Sequence, residues 1–351
     1  MRVILLRTHY PHWGAHTGTD RFLKYVDKSA VRVRSVLVPD NHEDFFLQNT
    51  WIRERVITAI QRRGMPWYKL SDLTAEMKVG RSCVRRRIDV VHYLDGEHGA
   101  QYLPRWLRAS RLTRSKTIAT YHQPTTLIDG LLDPAVLSDL DHVTLVSPDQ
   151  RAWFKQYLKP DRLSVILHGV DTDFFRPAGS PRQSRVFRCV SGGYWLRDWE
   201  AIRAVAERLR EHRDIEFHLV TPQPTGLEAL DNVIVHRHIT DTGLLSVYQQ
   251  CDAMLLPLKA STANNTLLEG LSCGLPVITT RLDSVCAYVR PEEGVLVDGN
   301  DRDILADAVL YLKRHPGARE RLGAAARQRA RELDWRNVAA QYESLYISVL
   351  A

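Results

Sequence analysis

Short apolar runs alternate with longer amphipathic stretches along the 351 residues of this chain. In the first half the apolar runs predict strands over 3–6, 33–38, 90–93, 117–121, 142–146 and 164–167, with helical segments such as 20–27 and 148–157 between them. Several of these strands are apolar on both faces, the pattern of a buried parallel sheet. The second half repeats the theme. Strands are predicted over 186–190, 216–220, 233–236, 253–256, 277–279 and 294–297. Helices are predicted over 199–212, 242–250, 265–272, 301–315 and 317–333. Strand–helix alternation in each half predicts an α/β chain of two doubly wound domains. The linker candidate is 176–185, RPAGSPRQSR, rich in Pro, Gly and Ser near the midpoint. The segment 49–87 is helix-rich and reads as an insertion ahead of the strand at 90. No short repeat or low-complexity tract is visible.

Composition narrows the class. Hydrophobic residues make up 44% and charged residues 25%, ordinary globular usage that argues against wholesale disorder. No apolar run approaches the roughly 18 residues of a membrane span. The opening MRVILLRTHY reads as a strand rather than a signal peptide. The cysteines, Cys83, Cys189, Cys251, Cys273 and Cys286, are odd in number, widely spaced and form no CxxC. A disulfide framework or structural zinc is not expected, and a reducing cytoplasm fits. The formal net charge of +7 suggests an anionic ligand or surface.

The most informative stretch is 253–280, AMLLPLKASTANNTLLEGLSCGLPVITT. A strand ends at Pro257, small polar residues follow, and a short helix starts near Asn265. Asn264 or Asn265 suits its N-cap, and the exposed amides there form an anion site aided by the helix dipole. Glu269 stands one turn further on. Small residues at the turn with a carboxylate in the helix suit a sugar nucleotide. The alternative is a capped helix whose Glu269 is merely solvated.

This stretch resembles the nucleotide-binding signature of retaining glycosyltransferases of family 4 (glycosyl transferases group 1), which have the GT-B fold. Their pattern is a Glu, seven residues, a second Glu, then a small-Cys-Gly-x-Pro turn. The turn Cys273-Gly274-Leu275-Pro276 puts Glu269 on the second Glu, which the resemblance assigns to the donor ribose. Ser261 stands where the first Glu would be, and Thr262-Ala263-Asn264 replace a Gly-Phe-Gly. The run Leu167–Pro177, LHGVDTDFFRP, is close to the family's interdomain sequence, with Phe174 and Phe175 as hinge anchors. In 189–200, CVSGGYWLRDWE, Arg197 falls on the family's phosphate-binding Lys and Gly192 on its Arg, while Gly192 and Gly193 permit close backbone approach. The alternative for Arg197 is a surface pair with Asp198 or Glu200.

The resemblance implies two Rossmann-like domains facing across a cleft. The acceptor-binding domain would span 1–172, the nucleotide-sugar domain 173–334, and the helix 335–351 would cross back to the first. In the first domain, His9–Asp20 resembles the family's glycine loop, with Gly18 and Thr19 near the diphosphate or acceptor. Thr120-Tyr121-His122 matches a Thr-x-His in which the histidine meets the donor sugar. The loop HYLDGEHG, with His92, Asp95, Glu97 and His98, also has spacings a divalent metal can use, although the family motif needs no metal. His238, after the strand at 233, sits where relatives contact the nucleobase.

The implied activity is retaining transfer from a nucleotide-diphosphate sugar, the co-substrate, to a hydroxyl acceptor, with no cofactor. Arg197 and the amides near Asn265, Thr266 and Leu267 would serve the leaving group. Glu269 would hold the ribose, and His122 would meet the sugar. Two other readings stay open: a non-catalytic sugar-nucleotide-binding protein on the same scaffold, and a GT-B epimerase of UDP-sugars. The segment 103–116, LPRWLRASRLTRSK, reads as an amphipathic helix with a cationic side; with Arg81, Arg85, Arg86 and Arg87 it suits peripheral contact with anionic membrane, or a solvated helix face. No nucleic-acid module is present.

Overall fold

Runs that are apolar on both faces become parallel strands buried on both sides. The computed structural model describes residues 1–10, 14–61, 64–180, 184–223 and 225–351. Pro11-His12-Trp13 of the predicted glycine loop, Arg62-Arg63 of the helix-rich segment and Pro181-Arg182-Gln183 of the predicted linker lie outside the described residues. The chain forms two units. Unit 1 comprises Met1–Trp13, Gly18–His168 and Val338–Ala351; unit 2 comprises Gly14–Thr17 and Gly169–Asn337.

Unit 1 holds a six-stranded parallel sheet of β1 (Arg2–His9), β2 (Arg32–Pro39), β3 (Val90–Tyr93), β4 (Lys116–Tyr121), β5 (His142–Leu145) and β6 (Leu163–Val165), in the order β2-β1-β3-β4-β5-β6. β3, VVHY, is buried throughout, and its polar member is fully satisfied. His92 Nδ1 shares a hydrogen bond with Tyr346 Oη at 2.8 Å and Nε2 one with Thr120 Oγ1 at 2.8 Å. The core gathers Ile4, Leu6, Val91, Ala119, Val143 and Phe154 from strands and helices alike.

Unit 2 repeats the architecture with β7 (Phe187–Gly192), β8 (Ile215–Val220), β9 (Val233–His236), β10 (Ala253–Leu256), β11 (Val277–Thr280) and β12 (Gly294–Val297), in the order β12-β11-β10-β7-β8-β9, all parallel. Its helices Trp199–Arg208 and Arg302–Arg314 bury Ile202, Val205, Leu305 and Val309 against the sheet. Both units therefore have the expected doubly wound α/β class. The division falls after His168, because Val170 N donates to Leu333 O (3.0 Å) and pairs as a bridge with Asp334, within unit 2.

Three helical expectations shrink. The segment 148–157 keeps a 3-10 turn at Pro148–Gln150 and the short helix Arg151–Phe154. The segment 20–27 keeps only a 3-10 turn at Arg21–Lys24, and Asp27 Oδ1 accepts from the Ser29 amide and hydroxyl, a local turn that competes with helix. The segment 103–116 is helical only over Leu103–Ala109, since Ser110 Oγ accepts from Leu112 N and turns the chain. Trp106, at helical spacing from Leu103, is exposed, whereas Leu103 and Leu107 are buried.

Candidate functional site

In a doubly wound sheet, the crevice at the carboxyl ends of the strands opens where the strand order reverses. In unit 2 that point is the junction of β7 and β10, from which β8-β9 and β11-β12 run in opposite directions. Two loops leave there, one after Gly192 and one after Leu256, and an Arg197–Leu258 bridge laces them together. Gly193 (φ +85°) lets the first loop turn back, and Leu196 (φ 59°) completes the turn. Gly192 makes room for the second loop: a Cβ there would stand 2.9 Å from Thr266 Cγ2.

Arg197 is fixed by this lacing. Its Nε donates to Gly192 O (2.7 Å), Nη1 to Trp195 O (2.9 Å), and Nη2 to Asn264 Oδ1 (3.0 Å) and Thr266 Oγ1 (3.4 Å). All of these acceptors are neutral. The expected alternative, a surface pair with Asp198 or Glu200, does not form: Asp198 caps the Trp199–Arg208 helix through Ala201 N (3.1 Å) and accepts from Asn300 Nδ2 (2.8 Å). Burial pushes the Arg197 pKa down to about 10, so the guanidinium stays charged at neutral pH. Here a rigid cation keeps its charge uncancelled by any ion pair among the described residues.

The Asn265–Ser272 helix begins beside it. Asn264 is the N-cap, its Oδ1 accepting from Leu267 N (3.2 Å), while Leu268 N reaches Asn264 O (3.1 Å). Among the described residues the Asn265 and Thr266 amides remain as the uncapped donors of the first turn. No acidic residue stands in that turn. The positive end of the helix and the arginine thus share one location.

Glu269 is buried in the same helix. Its Oε1 accepts from Thr17 Oγ1 (2.9 Å) and its Oε2 from Tyr248 Oη (2.9 Å). Burial pushes its pKa up to about 7. It is therefore neither solvated nor salt-bridged. Thr17 is held by its own segment in unit 2: Ala15 N and His16 N donate to Asp241 Oδ2 (2.7 and 3.3 Å), and the His16 ring stacks on Phe174 at 3.6 Å. Tyr248, Asp241 and Thr17 were missed by the sequence reading. Tyr248 sits at an ordinary core position of the Asp241–Gln250 helix, and nothing local marks it.

The other predicted residues are dispersed. Ser261 is buried and its hydroxyl donates to Thr262 O at 3.3 Å, apart from the Arg197 hydrogen bonds. His238 is exposed after the edge strand β9, with φ 51°, and makes none of these contacts. Gly18 (φ +136°) and the buried Thr19 belong to unit 1.

In unit 1, His122 follows β4. Its Nε2 donates to Leu94 O (2.7 Å), which fixes the tautomer, and its amide donates to Glu97 Oε1 (3.0 Å). Burial pushes the His122 pKa down to about 4 and that of Glu97 up to about 8, so the imidazole is neutral at pH 7. Asp95 Oδ2 accepts from Thr8 N (2.8 Å). His92 is committed to Tyr346 and Thr120, while Glu97 Oε2 and His98 Nδ1 are buried without a hydrogen-bond partner among the described residues. Among the described residues no group of three metal-ligating side chains stands together.

Two family profiles match the chain, "Glycosyltransferase Family 4" over residues 14–174 and "Glycosyl transferases group 1" over 197–315. The chain belongs to the family 4 glycosyltransferases. Relatives include an MMP alpha-(1->4)-mannosyltransferase of Mycolicibacterium hassiacum, 28% identical over 55% of this chain and 50% of its own. A D-inositol 3-phosphate glycosyltransferase of Acidothermus cellulolyticus is 30% identical over 55% of this chain and 49% of its own. The chain thus spans about half the length of these curated relatives. The sucrose-phosphate synthase of Thermosynechococcus elongatus shares its fold with a TM-score of 0.74 at 16% identity, covering 99% of this chain and 98% of that one. Anabaena HepE in complex with UDP-glucose matches at 0.69 and 15% identity, over 99% of each chain. This family 4 chain therefore has the GT-B architecture of two Rossmann-like domains.

Proposed function

We propose that this family 4 chain transfers a sugar from a nucleotide-diphosphate sugar to a hydroxyl acceptor with retention of configuration. One observation carries the reading: a guanidinium held by neutral acceptors beside uncapped helix amides, with a buried carboxylate one turn along the same helix. In this reading the donor diphosphate takes the Arg197 charge and the Asn265 and Thr266 amides. Ribose hydroxyls replace Thr17 on Glu269, which Tyr248 keeps oriented. His122, neutral and with its Nε2–H given to Leu94 O, is assigned to the transferred sugar, where Nδ1 accepts a hydrogen bond without competing charge. The departing diphosphate takes the acceptor's proton on the same face, so catalysis is mainly positioning and charge stabilisation. Arg197 and the helix amides stabilise the charge that grows on the leaving group. No metal is assigned a role.

Ser261 and Gly192, standing where the family carries Glu and Arg, favour one competing reading, a binding protein without turnover. Calorimetry with UDP-, GDP- and ADP-sugars tests both, beginning with UDP-glucose because the HepE fold relative was crystallised with it. The expected result is micromolar binding of one donor class and its turnover. Glu269→Ala should weaken that binding by roughly 10–100-fold, the loss of hydrogen bonds to a charged acceptor. Unchanged affinity in Glu269→Ala would overturn the site assignment. Tight binding without hydrolysis or transfer in any acceptor mixture would favour the non-catalytic reading.

A further inference from the structure

A second feature of unit 1 is untouched by the donor chemistry. From Met77 to Ile88 and from His98 to Ile128 the sequence contains no acidic residue, while it supplies Lys78, Arg81, Arg85, Arg86, Arg87, Arg105, Arg108, Arg111, Arg114 and Lys116. The fold gathers most of these on one face. The Leu70–Arg85 helix exposes Met77, Lys78, Arg81, Val84 and Arg85, a stripe at helical spacing. The Leu103–Ala109 helix packs beside it at Gly80, where a Cβ would lie 3.1 Å from Leu103 Cδ1 and 3.6 Å from Trp106 Cζ3. The following turn returns close to the end of that helix, since Ser115 Oγ donates to Ile88 O (2.7 Å).

The placement of this second helix is built, not incidental. Buried Glu76 accepts at its carboxylate from the amides of Gln101, Tyr102 and Leu103 (3.2, 3.0 and 3.1 Å) and from Tyr68 and Tyr93 hydroxyls (2.8 and 2.9 Å). The segment that presents Arg105 and Trp106 is thereby pinned to the core.

What this face presents is unlike a solvated helix side. Lys78 pairs with Asp44 (3.4 Å), Arg87 with Asp89 (3.6 Å) and Lys116 with Asp141 (3.0 Å), but Arg81, Arg85, Arg86, Arg105, Arg111 and Arg114 make no ion pair among the described residues. Between them stand apolar side chains in water: Leu112 is 72% exposed, Met77 52%, Val84 44% and Trp106 42%. A solvated face interleaves both signs of charge, whereas cations alternating with Trp, Leu and Met match the interface of a lipid bilayer. Trp prefers the headgroup level, and arginines there meet lipid phosphates. A nucleic-acid platform would want several aromatic faces for stacking, and this surface offers only Trp106.

We propose that this face, formed by the outer side of the Leu70–Arg85 helix, the Leu103–Ala109 helix and the turn at 110–115, docks the protein on an anionic lipid bilayer. Arginines supply the attraction, and Trp106 and Leu112 enter the headgroup layer. The proposal is independent of the donor site, whose residues lie in other elements.

The test is co-sedimentation of the full chain with extruded vesicles of phosphatidylcholine alone and of phosphatidylcholine mixed with phosphatidylglycerol. Binding is expected only to the anionic vesicles, weakening steeply with added salt. Each arginine near such a surface contributes about fivefold. The variant R81Q/R85Q/R105Q/R111Q should therefore lose at least about a hundredfold in partition coefficient. W106A/L112A should lose the binding that survives high salt. Circular dichroism shows whether each variant is folded, and binding of UDP, GDP and ADP tests the donor site separately; a wild-type chain that ignores all three nucleotides and their sugars but binds anionic vesicles would sink the transferase reading and leave this one standing. Equal binding to both vesicle types, undiminished binding by the quadruple variant, or binding to a single-stranded RNA oligonucleotide in place of vesicles would overturn the proposal.

Discussion

Arg197 is held by backbone and amide oxygens rather than by a carboxylate, and that choice has a kinetic consequence. A salt-bridged arginine would have to give up its partner as an anion arrives. One held by neutral acceptors already points its charge where phosphate oxygens would sit, so little reorganisation is needed. Arg197→Gln should therefore lower kcat by roughly 10²–10³-fold. Arg197→Lys should recover only part of this, because an ammonium cannot span Gly192 O, Trp195 O and Asn264 Oδ1 at once. Steady-state donor turnover checks both, and a kcat unchanged in Arg197→Gln would remove Arg197 from the mechanism. Glu269 was visible in the sequence as a carboxylate one turn into a capped helix, and Arg197 through the resemblance of its loop to the family's phosphate-binding loop. Tyr248 and Thr17 were not, since a hydroxyl that orients a buried carboxylate looks in sequence like any other core or loop residue.

The junction of the loops after β7 and β10 depends on the absence of a side chain at Gly192. A methyl there meets Thr266 Cγ2 at 2.9 Å, inside normal contact, and would push the start of the Asn265–Ser272 helix away from Arg197. Gly192→Ala should destabilise by about 1–3 kcal/mol, the usual cost of overpacking. Thr266→Ser removes that methyl group and keeps the hydroxyl. The double variant should recover most of the loss in a urea-denaturation cycle, giving a coupling energy that additive effects would not. This also gives a structural reason for Gly192 where the family carries Arg. At the same scale every strand was located, though the first, expected over 3–6, runs Arg2–His9, while the 20–27 and 103–116 helices were largely not. Strand patterning reports burial on both faces. Short helices compete with side-chain turns such as those at Asp27 and Ser110, which propensity does not resolve.

Across the whole molecule, buried ionisable groups pull stability in opposite directions with pH. Histidines 92, 98, 122 and 142 have pKa values pushed down to about 3–4 from 6.5 by burial, so their contribution is present above pH 6.5 and is lost as pH falls toward 4. Asp95, Glu97 and Glu269 are pushed up to about 7, 8 and 7 from ordinary values of 3.8, 4.5 and 4.5, again chiefly by burial. A raised carboxyl pKa works the other way: its contribution is full below the unfolded value and is lost as pH rises to the folded one. The two sets largely offset each other from about pH 4.5 to 6.5. Above 6.5 only the carboxyls titrate, so stability should fall between pH 6.5 and 8, on the order of 2–3 kcal/mol. Urea midpoints at the two pH values check this. Glu97→Gln, which keeps an acceptor for the His122 amide, should remove about half of the fall, and a midpoint that rises with pH would contradict the assignment. Hydrophobic periodicity by itself determined the α/β class and the succession of strands and helices along each half, and the resemblance of the 253–280 stretch to the family 4 signature pointed to the family, because burial on two faces and a strand–turn–helix motif are local patterns. Tertiary structure alone decided which groups act together. Strand order put the β7 and β10 loops side by side, packing chose neutral partners for Arg197, and desolvation set the charge states of Glu269, Glu97 and His122. These depend on neighbours far apart in the chain, and a linear pattern holds no record of them.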